Sequence, residues 1–154
     1  MYGDSRALAT MASIIGDELT AKLFTGKADT IKKKVNNRLW NEELGFFSSL
    51  PRAYTDTTKT FPVRELLGNV PWYFDLPDDS ETYSNAWKQV LDPKGFSAPA
   101  GLTSCEQRHP YFEISYEGHE CQWNVPSWPF ATTQTLKGLS NLLTKYKHKG
   151  GLDK

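Results

Sequence analysis

Residues 4–40, DSRALATMASIIGDELTAKLFTGKADTIKKKVNNRLW, carry the pattern that decides the fold class. Leu8, Met11, Ala12 and Ile15 recur at helical spacing and share one face. Beyond Gly16 and Asp17 a second series runs through Leu19, Leu23, Ala28, Ile31, Val35 and Leu39. Glycine reaches the left-handed conformation that ends a helix, and an aspartate carboxylate accepts from the free N–H groups that open the next one. The stretch therefore predicts a helical hairpin over 4–40. Lys22, Lys27, Lys32, Lys33, Lys34 and Arg38 fall mainly off the apolar stripe. They read as a solvated helix face rather than a nucleic-acid patch, because the balancing acids are spread through the whole chain.

Outward from the hairpin the periodicity mostly disappears between Asn41 and Trp128. Gly45-Phe46-Phe47 predicts a short extended segment, the polar run from Arg52 to Thr60 a surface loop, and Val63 to Val70 a short helix. Asp78-Asp79-Ser80-Glu81 offers capping groups to a helix carrying Tyr83, Trp87, Val90 and Leu91, which Pro93 closes. Helical spacing returns from Pro129 to Lys149, where Phe130, Leu136, Leu139, Leu142, Leu143 and Tyr146 form an apolar stripe. Three regions follow: the hairpin, a loop-rich region over 41–128 and a C-terminal helix over 129–149. Long irregular segments in a compact domain are usually functional.

Composition narrows the function. The chain has 154 residues, with 18 basic and 18 acidic side chains, so nothing in its charge favours nucleic acid or an anionic membrane as partner. Its apolar runs fall short of a membrane span, and no secretory leader is readable at the N-terminus. The two cysteines, Cys105 and Cys121, stand in neither a metal-finger nor a redox spacing. Aromatic residues make up 13% and include five tryptophans, which either fill a core or line a binding surface.

The densest chemistry lies in Tyr116-Glu117-Gly118-His119-Glu120-Cys121-Gln122-Trp123-Asn124-Val125-Pro126-Ser127-Trp128, just before the last helix. Carboxylates and amides make directional hydrogen bonds to hydroxyls, and an indole covers the C–H face of a sugar ring, so the cluster suits a neutral polyhydroxylated ligand. Trp123 and Trp128 are open to either a core or a ligand-facing role. His119 and Glu120 lack a second His or Cys at ligand spacing, so no metal site is expected, and Cys121 reads as an inert thiol. A carboxylate among aromatics needs a specific partner or a shifted pKa, which singles out Glu120. Two smaller clusters add candidates: Arg64-Glu65 leading to Trp72, where the plain reading is a surface ion pair, and Arg108-His109, where it is loop anchoring.

Several segments taken together resemble a known family. They are Met1-Tyr2-Gly3-Asp4, Leu39-Trp40-Asn41 with Gly45-Phe46-Phe47, Arg64-Glu65-Leu66 leading into Pro71-Trp72-Tyr73-Phe74, Arg108-His109-Pro110, and Gly118 to Asn124 with Pro126-Ser127-Trp128-Pro129-Phe130-Ala131-Thr132. In this order they resemble the six-hairpin glycosidases, closest to the mannosylglycerate-hydrolase-like branch related to trehalases and processing α-glucosidases. The resemblance implies an all-α fold, the (α/α)6 toroid, in which consecutive helical hairpins surround a pocket built by long irregular loops. The helical pattern here matches a consecutive piece of that toroid, residues 1–154 forming a partial domain. Val125 departs from the glycine common in relatives, and its β-branched side chain restricts the backbone before Pro126.

The resemblance further implies hydrolysis of O-glycosidic bonds by paired carboxyl groups, about 6.5–9.5 Å apart in inverting enzymes. The family's acid comes from an earlier segment and its base from a later one, which places both outside this chain. Glu120 is the carboxylate here to test as catalytic, with Glu65, Trp72, Arg108, His109, His119, Gln122, Trp123 and Trp128 for substrate binding. No cofactor is expected, and the expected partner is a carbohydrate. A toroid cut open would expose helix faces, so self-association is expected too. The family allows a secreted or periplasmic parent protein. The other reading is a non-catalytic carbohydrate-binding or structural helical module.

Overall fold

A computed structural model describes residues 1–51, 59–115, 123–124 and 127–152. About half of these residues are helical. Helix α1 (Tyr2–Ile14) turns at Gly16, whose φ is +79°, into α2 (Glu18–Leu39). The Asp17 carboxylate accepts from Thr20 N–H at 3.0 Å, the cap expected from sequence. The two helices lie against each other through small residues, with Ser5, Ala12, Ala21 and Ala28 buried. The larger side chains of the expected stripe are not buried by this pairing. Met11, Leu19 and Leu23 are exposed and Ile15 is 79% exposed, while Val35 and Leu39 turn to the main core. Alanines bring the helix axes close, and that leaves the bulkier neighbours on the flanks.

Beyond α2 the chain forms a small antiparallel hairpin of β1 (Trp40–Asn41) and β2 (Phe46–Phe47), with Trp40 opposite Phe47. The short helix expected over 63–70 begins later, as a 3-10 turn at Leu66–Asn69 that continues into α3 (Val70–Tyr73). Residues 64–66 are drawn instead into an extended pairing with 104–106. Ser80 caps α4 (Glu81–Ser84) by accepting from Tyr83 N–H, and a 3-10 turn follows at Asn85–Val90. A second hairpin joins β3 (Ser97–Ala98) to β4 (Gly101–Leu102), and α5 (Pro129–Lys145) comes last among the helices. The fold is thus helix-rich, with two small hairpins interrupting an all-helical pattern.

The core gathers Phe46, Phe47, Leu66, Trp72, Trp87 and Phe96 against Leu142 and Tyr146. Helix α5 lies on α3 through Ala131, Thr135, Gly138, Asn141 and Leu142. The predicted stripe is rotated by this contact, so Phe130, Leu136 and Leu143 face outward. The cause is the partner: α3 presents an indole and backbone, and a Cβ on Gly138 would stand 3.2 Å from Asn69 O and 3.4 Å from Trp72 Cβ. Asn141 Nδ2 donates to the carbonyls of Trp72 (2.9 Å) and Tyr73 (3.0 Å), closing the free end of α3.

Helix α5 stops at Lys145, short of the expected Lys149, because Asp79 captures the chain. Its carboxylate accepts from the backbone N–H groups of Lys147 (2.8 Å) and His148 (3.0 Å), and His148 Nδ1 stands 2.9 Å away. These bonds hold the Asp79 carboxyl down at about 2. A carboxylate depressed in the folded state stabilises it above the ordinary aspartate value near 4, and that contribution is lost as pH falls through about 2. Asp79→Ala should lower Tm by a few degrees at pH 7 and flatten the acid limb of stability between pH 4 and 2. Thermal unfolding followed by circular dichroism across that range checks both.

Candidate functional site

The loop region is organised by a strand-like pairing between 64–66 and 104–106. Leu66 N–H donates to Ser104 O at 2.8 Å, and Glu106 N–H donates to Arg64 O at 3.0 Å. Glu106, 3% exposed, sits at its centre. Its carboxylate accepts from Arg64 N–H (2.9 Å) and Arg64 Nη1 (2.8 Å), and it forms an ion pair with the Arg108 guanidinium, whose Nε stands 3.3 Å away. The other edge of the Arg64 guanidinium donates to Leu44 O from Nε (3.1 Å) and Nη2 (2.6 Å). Arg108 also pairs with Asp92 and donates to Lys94 O (3.0 Å) and Gln89 Oε1 (3.2 Å). One buried carboxylate therefore joins the β1–β2 turn, the 64–66 segment and the turn at 89–95. The predicted Arg64–Glu65 pair is replaced by Arg64–Glu106. Arg108, expected at the substrate, is committed to anchoring the loops.

The same framework carries the aromatic residues. His109 Nδ1 accepts from Tyr111 N–H at 3.3 Å, and the two rings tilt against each other at 5.6 Å. Asn124 Nδ2 donates to Tyr111 O at 2.6 Å, and Glu113 N–H donates to Asn124 O at 2.9 Å. This double tie fixes the residue next to Trp123. Trp123 stacks on Trp128 with ring centres 5.4 Å apart and planes 17° from parallel. Trp123 is 40% exposed, and Trp128 stands at the N-cap of α5 with its other contacts in the core. The pair forms a ledge at the helix start, with Ser127 beside the Gly101 bend.

Glu65 lies apart from that ledge. It lines a cavity of about 270 Å³ whose walls include Val35, Leu39, Phe47, Leu67 and Phe74, and its Oε2 accepts from Ser49 Oγ at 2.7 Å. Trp72, expected to meet substrate, is 0% exposed and packs edge-to-face on Trp87 (5.5 Å) and Phe47 (5.7 Å). It is a core residue, because α3 turns its indole toward the rest of the core and away from the loops. His119, Glu120 and Gln122 fall outside the described residues. Cys105 is buried, and desolvation beside Glu106 and Glu65 pushes its thiol up to about 11, which leaves it protonated and unreactive at neutral pH. Sequence reasoning missed the role of Glu106. The usable signal was a carboxylate two residues before Arg108 and next to Cys105, since such a group is rarely buried unpaired.

Comparison with known proteins bears on this arrangement. The family model for the mannosylglycerate hydrolase MGH1-like glycoside hydrolase domain matches residues 1–151. The chain belongs to this glycoside hydrolase family. A solved structure described as a sialidase is 44% identical and superposes with a TM-score of 0.86 over 94% of this chain. The match covers 13% of that structure's chain, so the present chain spans a small part of its length. No curated protein matches.

Within this glycoside hydrolase domain, then, the ledge, the ties to it and the Glu106 network form one connected unit. Removing Glu106 would leave the largely buried Arg64 guanidinium without its counter-charge. Glu106→Ala should cost about 3–5 kcal/mol, the range for breaking one side of a buried pair, and Glu106→Gln clearly less. Urea denaturation of the two variants measures the difference.

Proposed function

We propose that this chain forms one wall of the sugar site in a glycoside hydrolase that cleaves O-glycosidic bonds with a pair of carboxyl groups. The supporting observation is the Trp123–Trp128 ledge, stacked at 5.4 Å, with Trp128 resting on the edge of the core and Trp123 40% exposed beside the tethered loop. An open indole platform of this kind takes the C–H face of a pyranose ring. His119, Glu120 and Gln122, on the segment leading into the ledge, supply the polar half of the recognition, and His109 stands on the loop tied to it. Glu120 is the carboxylate to test for general-acid chemistry, where burial among indoles would keep it protonated near neutrality. The second carboxyl group comes from another segment of the parent protein.

This reading also places the exposed apolar side chains of α1 and α2. In an (α/α)6 toroid those flanks face neighbouring hairpins, and in the isolated chain they drive self-association. The sugar is left to experiment, because the family description and the sialidase name point to different glycosides.

Calorimetric titration with mannosides, glucosides and sialosides should show saturable binding of one class, weakened about tenfold by Trp123→Ala. Absence of binding by all three would leave the indoles a purely structural role. The isolated chain should not turn over aryl glycosides. Turnover that Glu120→Gln abolishes would place the complete catalytic pair within these residues and overturn the assignment of the second carboxyl group elsewhere. Sedimentation velocity should report concentration-dependent association, whereas a clean monomer at all concentrations would count against the open-toroid arrangement.

A further inference from the structure

A groove of about 570 Å³ runs between the last turn of α2 and the β1–β2 hairpin, where residues 59–62 return alongside. It shares no residue with the Trp123–Trp128 ledge or with the Glu65 cavity. Trp40 forms part of its wall, held edge-to-face by Phe47 (4.9 Å, 70°) and Tyr83 (4.7 Å, 80°). The rim is fixed as well. Asn41 Oδ1 accepts from Leu44 N–H at 2.9 Å, and Asn41 Nδ2 donates to Thr60 Oγ1 at 2.8 Å. The indole is therefore preorganised before any ligand arrives.

Around this wall stand Asn37, Arg38, Glu42, Glu43 and Lys59. Among the described residues none of the five makes a side-chain hydrogen bond or ion pair, although two cations and two carboxylates line the same groove. Opposite charges elsewhere do close on each other, as Lys32 does on Asp78 (2.5 Å) and Lys145 on Asp75 (2.6 Å). Uncommitted donors and acceptors of both signs around a fixed indole match a ring bearing several hydroxyls, each of which both donates and accepts. A phosphate or an acidic peptide would meet Glu42 and Glu43, and a basic peptide would meet Arg38 and Lys59. The local charge cancels, so a neutral ligand is favoured.

The geometry points to a second carbohydrate site in this groove, taking one or two residues of a neutral oligosaccharide independently of the ledge. The test is a two-dimensional amide and indole NMR titration of the full chain with mannotriose, maltotriose and cellotriose. Saturable shifts are expected at the Trp40 indole N–H and at residues 37–43 with at least one of them. The exposed double variant Arg38→Ala/Glu43→Gln should weaken that response about tenfold while leaving thermal unfolding unchanged. Trp123→Ala should leave it intact, which separates this site from the proposed ledge. No shift at Trp40 with any of the three at millimolar concentration overturns the proposal. So does a Trp40 response lost in Trp123→Ala but kept in the double variant.

Discussion

The carboxylate of Glu106 is the constraint on which the loop region depends. Two donors of Arg64 and the charge of Arg108 meet it in a nearly dry environment, and each arginine also holds a different stretch of chain. Arg64 reaches the β1–β2 turn, and Arg108 reaches the turn at 89–95. A buried ion costs desolvation energy unless its remaining lone pairs are filled, and here both oxygens are engaged. The favourable arrangement is consequently a narrow one, which makes the network a source of geometric definition more than of net stability. Irregular backbone needs such a device because it lacks the repeating hydrogen bonds that define helices and sheets.

That definition reaches the aromatic ledge through the chain itself. Arg108 is followed directly by His109, whose ring orders the Tyr111 amide, and Tyr111 accepts from the side chain of Asn124, which follows Trp123 by one position. Glycan recognition by stacking depends on the tilt and height of a ring face, so a platform on a slack loop would discriminate little. Here a helix start supports one indole from below and a tethered loop holds the other above it. The two supports are independent, so their agreement sets the plane of the ledge.

Much of the skeleton was legible in the sequence, and the reasons are local. Gly16 with Asp17, Ser80 before Glu81 and Pro129 at a helix start act through the backbone of their own turn, so their effect survives whatever surrounds them. Packing faces were less legible. The α5 stripe of Phe130, Leu136 and Leu143 lies outward because α3 accepts only small residues where it crosses, a property of the partner and not of α5. The resemblance carried the family, and the family match over residues 1–151 agrees with it. Individual roles did not follow. Arg108 proved an anchor, Trp72 a core residue and Glu106 the unheralded hub, since each role is set by which segment lies across from the side chain.

The tryptophans show how one residue type divides between two tasks. Trp72 and Trp87 stand on helical turns of four and six residues, elements too short to bury much surface through ordinary aliphatic side chains. A large flat ring compensates for a short element, and two set edge-to-face close a core that longer helices would fill with leucine. Trp123 stands at a loop end and Trp128 at a helix cap, where it also packs on the edge of the core. Their rings stack on each other, and Trp123 keeps 40% of its surface exposed. Trp40 is intermediate, packed against the core and also lining a groove. One residue type thus closes the core at Trp72 and Trp87 and stays part-exposed at Trp123, according to what packs against each ring.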